Sequence, residues 1–124
     1  MPWKITVLSE FPIIETRYEG VLTQAELSEA IRETLAQGRV NNTVLFLGDC
    51  TALAGGHSAV DLYFLADAVV ASGVSHTLKE AVLLPELPGS AENVRFWETT
   101  CYNRGFRVRI FQERAQALAW LMAP

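Results

Sequence analysis

The stretch from residue 48 to residue 61, GDCTALAGGHSAVD, places thiol, imidazole, hydroxyl and carboxyl groups between two apolar runs. A serine or cysteine beside a histidine is the pattern of a nucleophile with its general base, as in acyl transfer. Ser58 and His57 are adjacent in the chain, however, and adjacent side chains seldom point at each other. The GxSxG turn that presents a catalytic serine is also missing. An enzyme is therefore the weakest interpretation, and we assign no catalytic residue.

The same stretch does not have the pattern of a metal site or of a nucleotide-binding site. Spacings typical of zinc ligands are not found among Cys50, His57, His76 and Cys101. The glycine pair 55–56 has neither GxGxxG nor GK[ST] spacing and is sufficiently explained by a turn with positive φ. We expect no metal and no cofactor, and His57 is most simply an exposed loop residue.

A helix that begins near Ser58 gives this stretch a second interpretation, as a binding surface. Asp49 follows the buried-strand pattern of residues 44–47, and ligands of open α/β sheets bind beyond the carboxyl ends of central strands. The free N–H groups of the following helix would favour an anion, or a phosphate carried by Ser58. The alternative is that Ser58 and Asp61 only cap the helix. Asp49, His57 and Ser58 are thus the candidate site for docking a protein partner and for a phosphoswitch.

The helix predicted from Ser58 or Ala59 to Ala71 is apolar nearly all round, since Asp61 and Asp67 are its only charges. It is either wedged between the sheet and its neighbours, or one side meets a dimer mate, a small apolar ligand or a membrane surface. The candidate apolar ligand surface combines two residues of this helix with two of the next, namely Tyr63, Phe64, Phe96 and Trp97. For the aromatic residues of the later helix, ordinary core packing is the alternative.

Hydrophobic periodicity predicts nine elements that position these side chains. Two alternating strands around Trp3–Val7 and Ile14–Tyr18 form an antiparallel hairpin. A helix from Thr23 to Gln37 follows, with Gly38 as its stop. The remaining predictions are strands at 44–47, 81–84 and 107–111 and helices at 58–71, from Ser90 onward and at 113–122. The order β-β-α-β-α-β-α-β-α predicts a single α/β domain over residues 1–124, with a mixed sheet of about five strands and helices packed on it.

Charge and composition exclude several classes of partner. The formal net charge is −4 and the ten Lys and Arg residues are scattered, so we expect no nucleic acid. Apolar runs are too short for a transmembrane segment, and residues 1–10 do not resemble a signal peptide. The two cysteines are then expected to be reduced thiols of a cytoplasmic protein.

The order of elements resembles the STAS fold of anti-sigma-factor antagonists, and more closely the SpoIIAA-like group of small bacterial proteins. The residues that carry the resemblance are WKITVLSE, GVLTQAEL, VLFLGDCTAL and FRVRIFQERAQALAWL. The antagonists have an Asp or Asn at a strand end and an Asp-Ser-x-Gly motif at the next helix, whose serine is phosphorylated by a partner kinase. Here the match is partial: Asp49 stands at the strand end and Ser58 falls near the switch serine, whereas His57 and Val60 replace the aspartate and the glycine. A shift of one residue would put Ala59 at the modified position.

The resemblance implies a non-catalytic binding or regulatory module that docks a protein partner near the N-terminus of the second helix. The alternative expectation is a carrier or sensor of a small apolar or lipid-like ligand, associated with a membrane surface. The apolar excess is also compatible with a homodimer.

Overall fold

The structure, a computed structural model, describes residues 2–55, 58–74, 76–85 and 88–124. Within these residues the elements follow the predicted order. They are β1 (Trp3–Val7), β2 (Ile13–Val21), α1 (Gln24–Val40), β3 (Leu45–Gly55), α2 (Ala59–Ala71), β4 (Lys79–Leu83), α3 (Pro88–Tyr102), β5 (Arg107–Phe111) and α4 (Arg114–Met122).

The five strands form one mixed sheet, which confirms the predicted fold class. Their spatial order is the order of the sequence, β1-β2-β3-β4-β5. The β1–β2 hairpin is antiparallel, and the three following pairs are parallel. Parallel neighbours need a crossover, and α1, α2 and α3 provide the three crossovers.

The sequential strand order determines which face of the sheet each helix covers. Right-handed crossovers that always advance in one direction put their helices on the same face. In agreement, α1, α2 and α3 share one core cluster with Phe46 and Val82. The final helix α4 packs on the opposite face, in a smaller cluster with Leu47 and Ala81. The order never reverses, so the sheet has no topological switch point at which a ligand crevice would open.

Strand β3 is longer than the sequence indicated, and this corrects the position of Asp49. The predicted strand ended at Leu47, with Asp49 at its carboxyl end, but β3 continues to Gly55. Its first part, Leu45–Asp49, pairs with both β2 and β4, whereas the remainder pairs with β2 alone. Glycine, alanine and threonine dominate that extension, and these small residues gave it the composition of a loop.

Two helix ends also differ from the prediction. Helix α1 continues past Gly38 to Val40, so Gly38 does not end the helix. Its role is in packing, because a Cβ added at this position would lie 2.6 Å from Cζ of Phe46. Helix α3 begins at Pro88, so that Ser90 is a buried residue of its first turn and not its cap.

Helix α4 is held to the sheet by a buried lysine of β4. Nζ of Lys79 donates hydrogen bonds to the carbonyl oxygens of Trp120 (2.7 Å) and Ala123 (3.2 Å). It also lies 4.7 Å from the ring centroid of Trp120. A cation here satisfies carbonyls that the end of a helix leaves free.

Candidate functional site

A carboxyl group that faces the main core is the most unusual feature of the described residues. Glu80 of β4 faces the helices α1, α2 and α3, and it borders two cavities of about 50 Å³ and about 40 Å³. The walls that the two cavities share are formed by Tyr18, Ile31, Gly48, Glu80 and Trp97. The side chain as a whole is half-buried and keeps some accessible surface. Buried carboxyl groups are rare unless they are paired, so this placement requires an explanation.

One side-chain hydrogen bond orients the carboxyl group. Nε1 of Trp97 in α3 donates to Oε1 of Glu80 over 2.8 Å. The second oxygen, Oε2, lies next to Gly48 of β3, where an added Cβ would be 3.6 Å away. Burial raises the pKa of Glu80 above its usual value, and the hydrogen bond from Trp97 opposes that rise.

Three further titratable groups lie near Glu80 and are held in their neutral forms. Burial, with a smaller contribution from the charge of Glu80, raises the pKa of the Tyr18 hydroxyl and of the Cys50 and Cys101 thiols. Both cysteines are buried free thiols. A thiol attacks as its thiolate, so neither cysteine is prepared to act as a nucleophile. The chemistry that this arrangement favours is hydrogen bonding to a bound molecule.

Glu80 was not among the residues singled out from the sequence. The predicted strand began at Ala81, and the charged pair Lys79-Glu80 was left outside it. In β4 that pair is part of the strand, so the two side chains point to opposite faces of the sheet. Lys79 reaches α4 and Glu80 reaches the cavities. The sequence feature that could have indicated Glu80 is the charged pair Lys79-Glu80 directly before the apolar run of this strand.

Asp49 lies on the face of the sheet that α4 covers. It is two residues from Leu47 of the α4 cluster in the same strand, so both side chains point to the α4 face and away from α2. Its Oδ1 accepts hydrogen bonds from N and Oγ1 of Thr51, at 3.0 and 2.7 Å, and Oδ2 is 3.9 Å from Nη1 of Arg17. Asp49 and the α2 helix are therefore on opposite faces of the sheet, and Asp49 is not brought to Ser58.

Ser58 is exposed and forms the N-cap of α2. Its Oγ accepts from N of Asp61 (3.2 Å), and Oδ2 of Asp61 accepts from N of Ser58 (3.0 Å), which completes a capping box. The contacts of Ser58 are thus those of a helix cap, the alternative to a binding site that the sequence left open. His57, the third residue of that candidate site, lies outside the described residues.

The four aromatic residues of the candidate apolar surface separate into two environments. Tyr63 and Phe64 are exposed on α2, at 48% and 59% of their surface. Phe96 and Trp97 of α3 are partly buried against the main core, and Trp97 lines both cavities. Trp97 therefore belongs to an internal site, whereas Tyr63 and Phe64 belong to the outer surface.

Exposed apolar side chains cluster on the first turns of α2. Val60, at 62% exposure, is one turn from Tyr63 and Phe64. The guanidinium carbon of Arg104 lies 4.6 Å from the Tyr63 ring centroid, and its Nε donates to Oδ1 of Asp67 over 2.9 Å. The charges of this helix are thus occupied within the chain, and the surface beside Ser58 is mainly apolar.

The described residues contain neither a metal-binding cluster nor a membrane-spanning helix. Among residues 2–55, 58–74, 76–85 and 88–124, no group of three or more His, Cys, Asp or Glu is placed to hold a metal ion. In the same part of the chain, no helix is both long enough and apolar enough to cross a membrane.

Comparison with known proteins identifies the fold. A solved structure from Shewanella loihica PV-4, an uncharacterized protein from the DUF3478 family with a SpoIIAA-like fold, matches with a TM-score of 0.56. The match covers 96% of this chain and 91% of that chain at 20% sequence identity. Family models and curated proteins gave no match. The SpoIIAA-like fold implied by the resemblance is confirmed.

Proposed function

We propose that this protein is a non-catalytic binding module that takes up a small, largely apolar ligand between its sheet and the helices α1 to α3. The observation that carries the proposal is the pair of cavities beside Glu80. Close-packed cores leave few voids larger than a water molecule. Here two such spaces flank a single buried carboxyl group and share its tryptophan partner.

The walls of the larger cavity have the composition of a ligand site. Aliphatic side chains from all three helices face it, with Leu27 from α1, Leu62 and Leu65 from α2, and Val94 from α3. A few convergent polar groups in an otherwise apolar pocket fix the orientation of a ligand. A cavity of about 150 Å³ holds benzene, so the present spaces match a molecule, or the head of one, with only a few heavy atoms.

Replacing Gly48 by alanine tests the proposal. The added methyl group would enter the space beside Oε2 of Glu80 at ordinary contact distances, 3.6 Å from that oxygen and 3.8 Å from Cγ2 of Val82. We expect a folded protein whose affinity for the ligand falls about tenfold or more, since overfilling a site costs about 1–3 kcal/mol. Native mass spectrometry of protein purified from its own host measures the retained ligand, and chemical shifts of Leu62 and Leu65 methyl groups under xenon pressure measure access to the cavity.

The matched control is Gly89→Ala in α3, where an added Cβ meets nothing within 4 Å. This variant should retain ligand and admit xenon like the wild type. The proposal would be contradicted if wild-type protein shows only the mass of the bare chain under several growth conditions and its methyl chemical shifts do not change under xenon pressure.

The exposed start of α2 supports a second candidate function, the docking of a protein partner under control of Ser58. Val60, Tyr63 and Phe64 form an apolar surface next to an exposed serine at a helix N-terminus. A phosphate on Ser58 would add about two negative charges to that surface and interact favourably with the helix dipole. The same surface is the one that a homodimer mate would cover.

Substitutions at Ser58 separate the effect of charge from that of capping. Asp and Asn both cap helices well, but only Asp carries a charge. We expect Ser58→Asp to change partner binding, measured by quantitative co-purification from the host, while Ser58→Asn binds like wild type. Ser58→Ala should lower the free energy of unfolding by about 1 kcal/mol through loss of the cap.

A variant at Phe64 shows whether the docking surface itself is involved. Phe64→Glu should abolish co-purification of the same partner and leave the unfolding midpoint nearly unchanged, because the side chain is mostly exposed. If Ser58→Asp, Ser58→Ala and Phe64→Glu all bind every partner as the wild type does, the docking hypothesis fails. Sedimentation of the wild type and of Phe64→Glu then tests the homodimer separately.

A further inference from the structure

The carboxyl group of Glu80 has only half of the hydrogen bonding that an ionised carboxylate needs. Oε1 accepts from the indole of Trp97, but within the described residues no donor reaches Oε2. The ion pairs in the same part of the chain use other carboxylates, those of Glu15, Glu19, Glu29, Asp49 and Asp67. No lysine or arginine in that part of the chain is therefore paired with Glu80.

The groups around Glu80 cannot supply the missing charge. Among the described residues, the titratable groups that face it are Tyr18 from β2, Cys50 from β3 and Cys101 from α3, and each of them is held neutral. Helices α1 and α2 contribute aliphatic walls, including Ile31 and Leu65. A buried charge is stable when it is paired, so a cation is the species that this site lacks.

Geometry also leaves space for such a cation. Gly48 has no side chain, and this keeps the neighbourhood of Oε2 open on the side of the strand. Cavity space lies on both sides of the carboxyl group, so a ligand atom in either one is within reach of it. The remaining wall is mainly aliphatic and aromatic, with Asn93 in one space and Thr16 and Thr34 in the other, and it suits a short hydrocarbon group.

We infer that the ligand of this cavity is a small organic amine, whose ammonium group pairs with Oε2 of Glu80 while its apolar body packs against the leucines of α1 and α2. The inference rests on the proposed ligand-binding function and adds the chemical class of the ligand. Trp97 acts as a positioning residue, because its N–H holds Oε1 and turns Oε2 toward the open space. Glu80 determines specificity, since it selects a cation over a neutral molecule of equal size.

The test uses ethylammonium, with ethanol and acetate as neutral and anionic probes of similar size. Each is titrated in amine-free buffer at pH 8, with the ionic strength held constant by sodium chloride, while the indole N–H resonance of Trp97 is followed by NMR. Trp97→Phe assigns that resonance. For three heavy atoms we expect a dissociation constant of about 1 mM for ethylammonium. Ethanol should bind at least about tenfold more weakly, as should ethylammonium to Glu80→Gln.

The outcomes distinguish a failure of the amine inference from a failure of the proposed ligand binding. Equal binding of ethanol and ethylammonium by the wild type overturns the inference, as does unchanged binding of ethylammonium by Glu80→Gln. Should that variant fail to fold, the comparison of probes on the wild type decides alone. If xenon enters and ethylammonium does not bind, the amine is excluded while the proposed ligand binding stands. If xenon is excluded and no ligand is retained, the proposed function fails and the inference fails with it.

Discussion

Truncating Trp97 to alanine is expected to lower the free energy of unfolding by about 3–5 kcal/mol, the usual cost of removing a large aromatic side chain from a core. The ring lines both cavities, so its removal would merge them and leave the carboxyl group of Glu80 without its donor. Equilibrium unfolding in urea, with the midpoint and slope compared between variant and wild type, measures the loss.

A conservative variant separates the hydrogen bond from the packing. Trp97→Phe removes the N–H and keeps a smaller aromatic ring, so its packing cost is lower than that of Trp97→Ala and does not depend on pH. Since the pKa of Glu80 is raised in the folded protein, the contribution of Glu80 to stability is greatest at acid pH, and it declines as pH rises from the usual glutamate range toward the raised value. The bond from Trp97 favours the ionised form of Glu80. The cost of Trp97→Phe should therefore be larger at alkaline pH than at pH 4, by about 1–1.5 kcal/mol. If Trp97→Phe lowers the free energy of unfolding equally at both pH values, the hydrogen bond from Trp97 does not depend on the ionisation of Glu80.

Replacing Gly38 by alanine is the second large expected effect, and its sign is opposite to helix propensity. Alanine in a helix interior is favoured over glycine by about 1 kcal/mol. At Gly38, however, the new Cβ would lie 2.6 Å from Cζ of the buried Phe46 and 3.0 Å from the backbone oxygen of Thr43. Overpacking costs about 1–3 kcal/mol, and at these distances we expect the high end, so that the net loss is about 2 kcal/mol. Thermal and urea unfolding both measure it.

The glycine of α3 again provides the matched comparison. Gly89→Ala is free of any contact within 4 Å and should gain up to about 1 kcal/mol. Opposite signs for the two alanine substitutions would show that packing against Phe46, and not helix propensity, determines the residue at position 38. A stabilising Gly38→Ala would contradict the close approach of α1 to the sheet.

The parts of the fold that could be predicted depend on local periodicity. The alternation of Trp3, Ile5 and Val7 and the capping box of Thr23 and Glu26 are short-range patterns, and the structure contains both the strand and the cap. The sequence of elements, and with it the mixed sheet, follows from such patterns. Gly38 was misinterpreted because a glycine near a helix end has a strong local explanation, whereas its contact with Phe46 joins two different elements.

The candidate site was harder to predict for a related reason. Asp49, His57 and Ser58 form one candidate site in the sequence because Asp49 is expected at the end of a central strand and Ser58 at the start of the next helix. Side chains of a strand, however, alternate between two faces. Asp49 consequently lies on the α4 face and is not brought to Ser58. Glu80 and Trp97 are 17 residues apart, and only the packing of α3 on β4 brings them together. No motif joins them, so pattern recognition alone had no means of pairing them.

The sequential order of the strands also bears on how the chain acquires its fold. Each strand after the hairpin is added at the edge that the preceding strand left open, and no strand has to be inserted between two others. Contacts between neighbours in sequence keep loop closures short, which favours rapid folding. During synthesis, the chain can therefore assemble unit by unit from its N-terminus, and β5 becomes the last edge. The carboxylate of Glu98 then accepts the N–H of Ile110, over 2.9 Å, and so occupies a donor that an unguarded edge would offer to another chain.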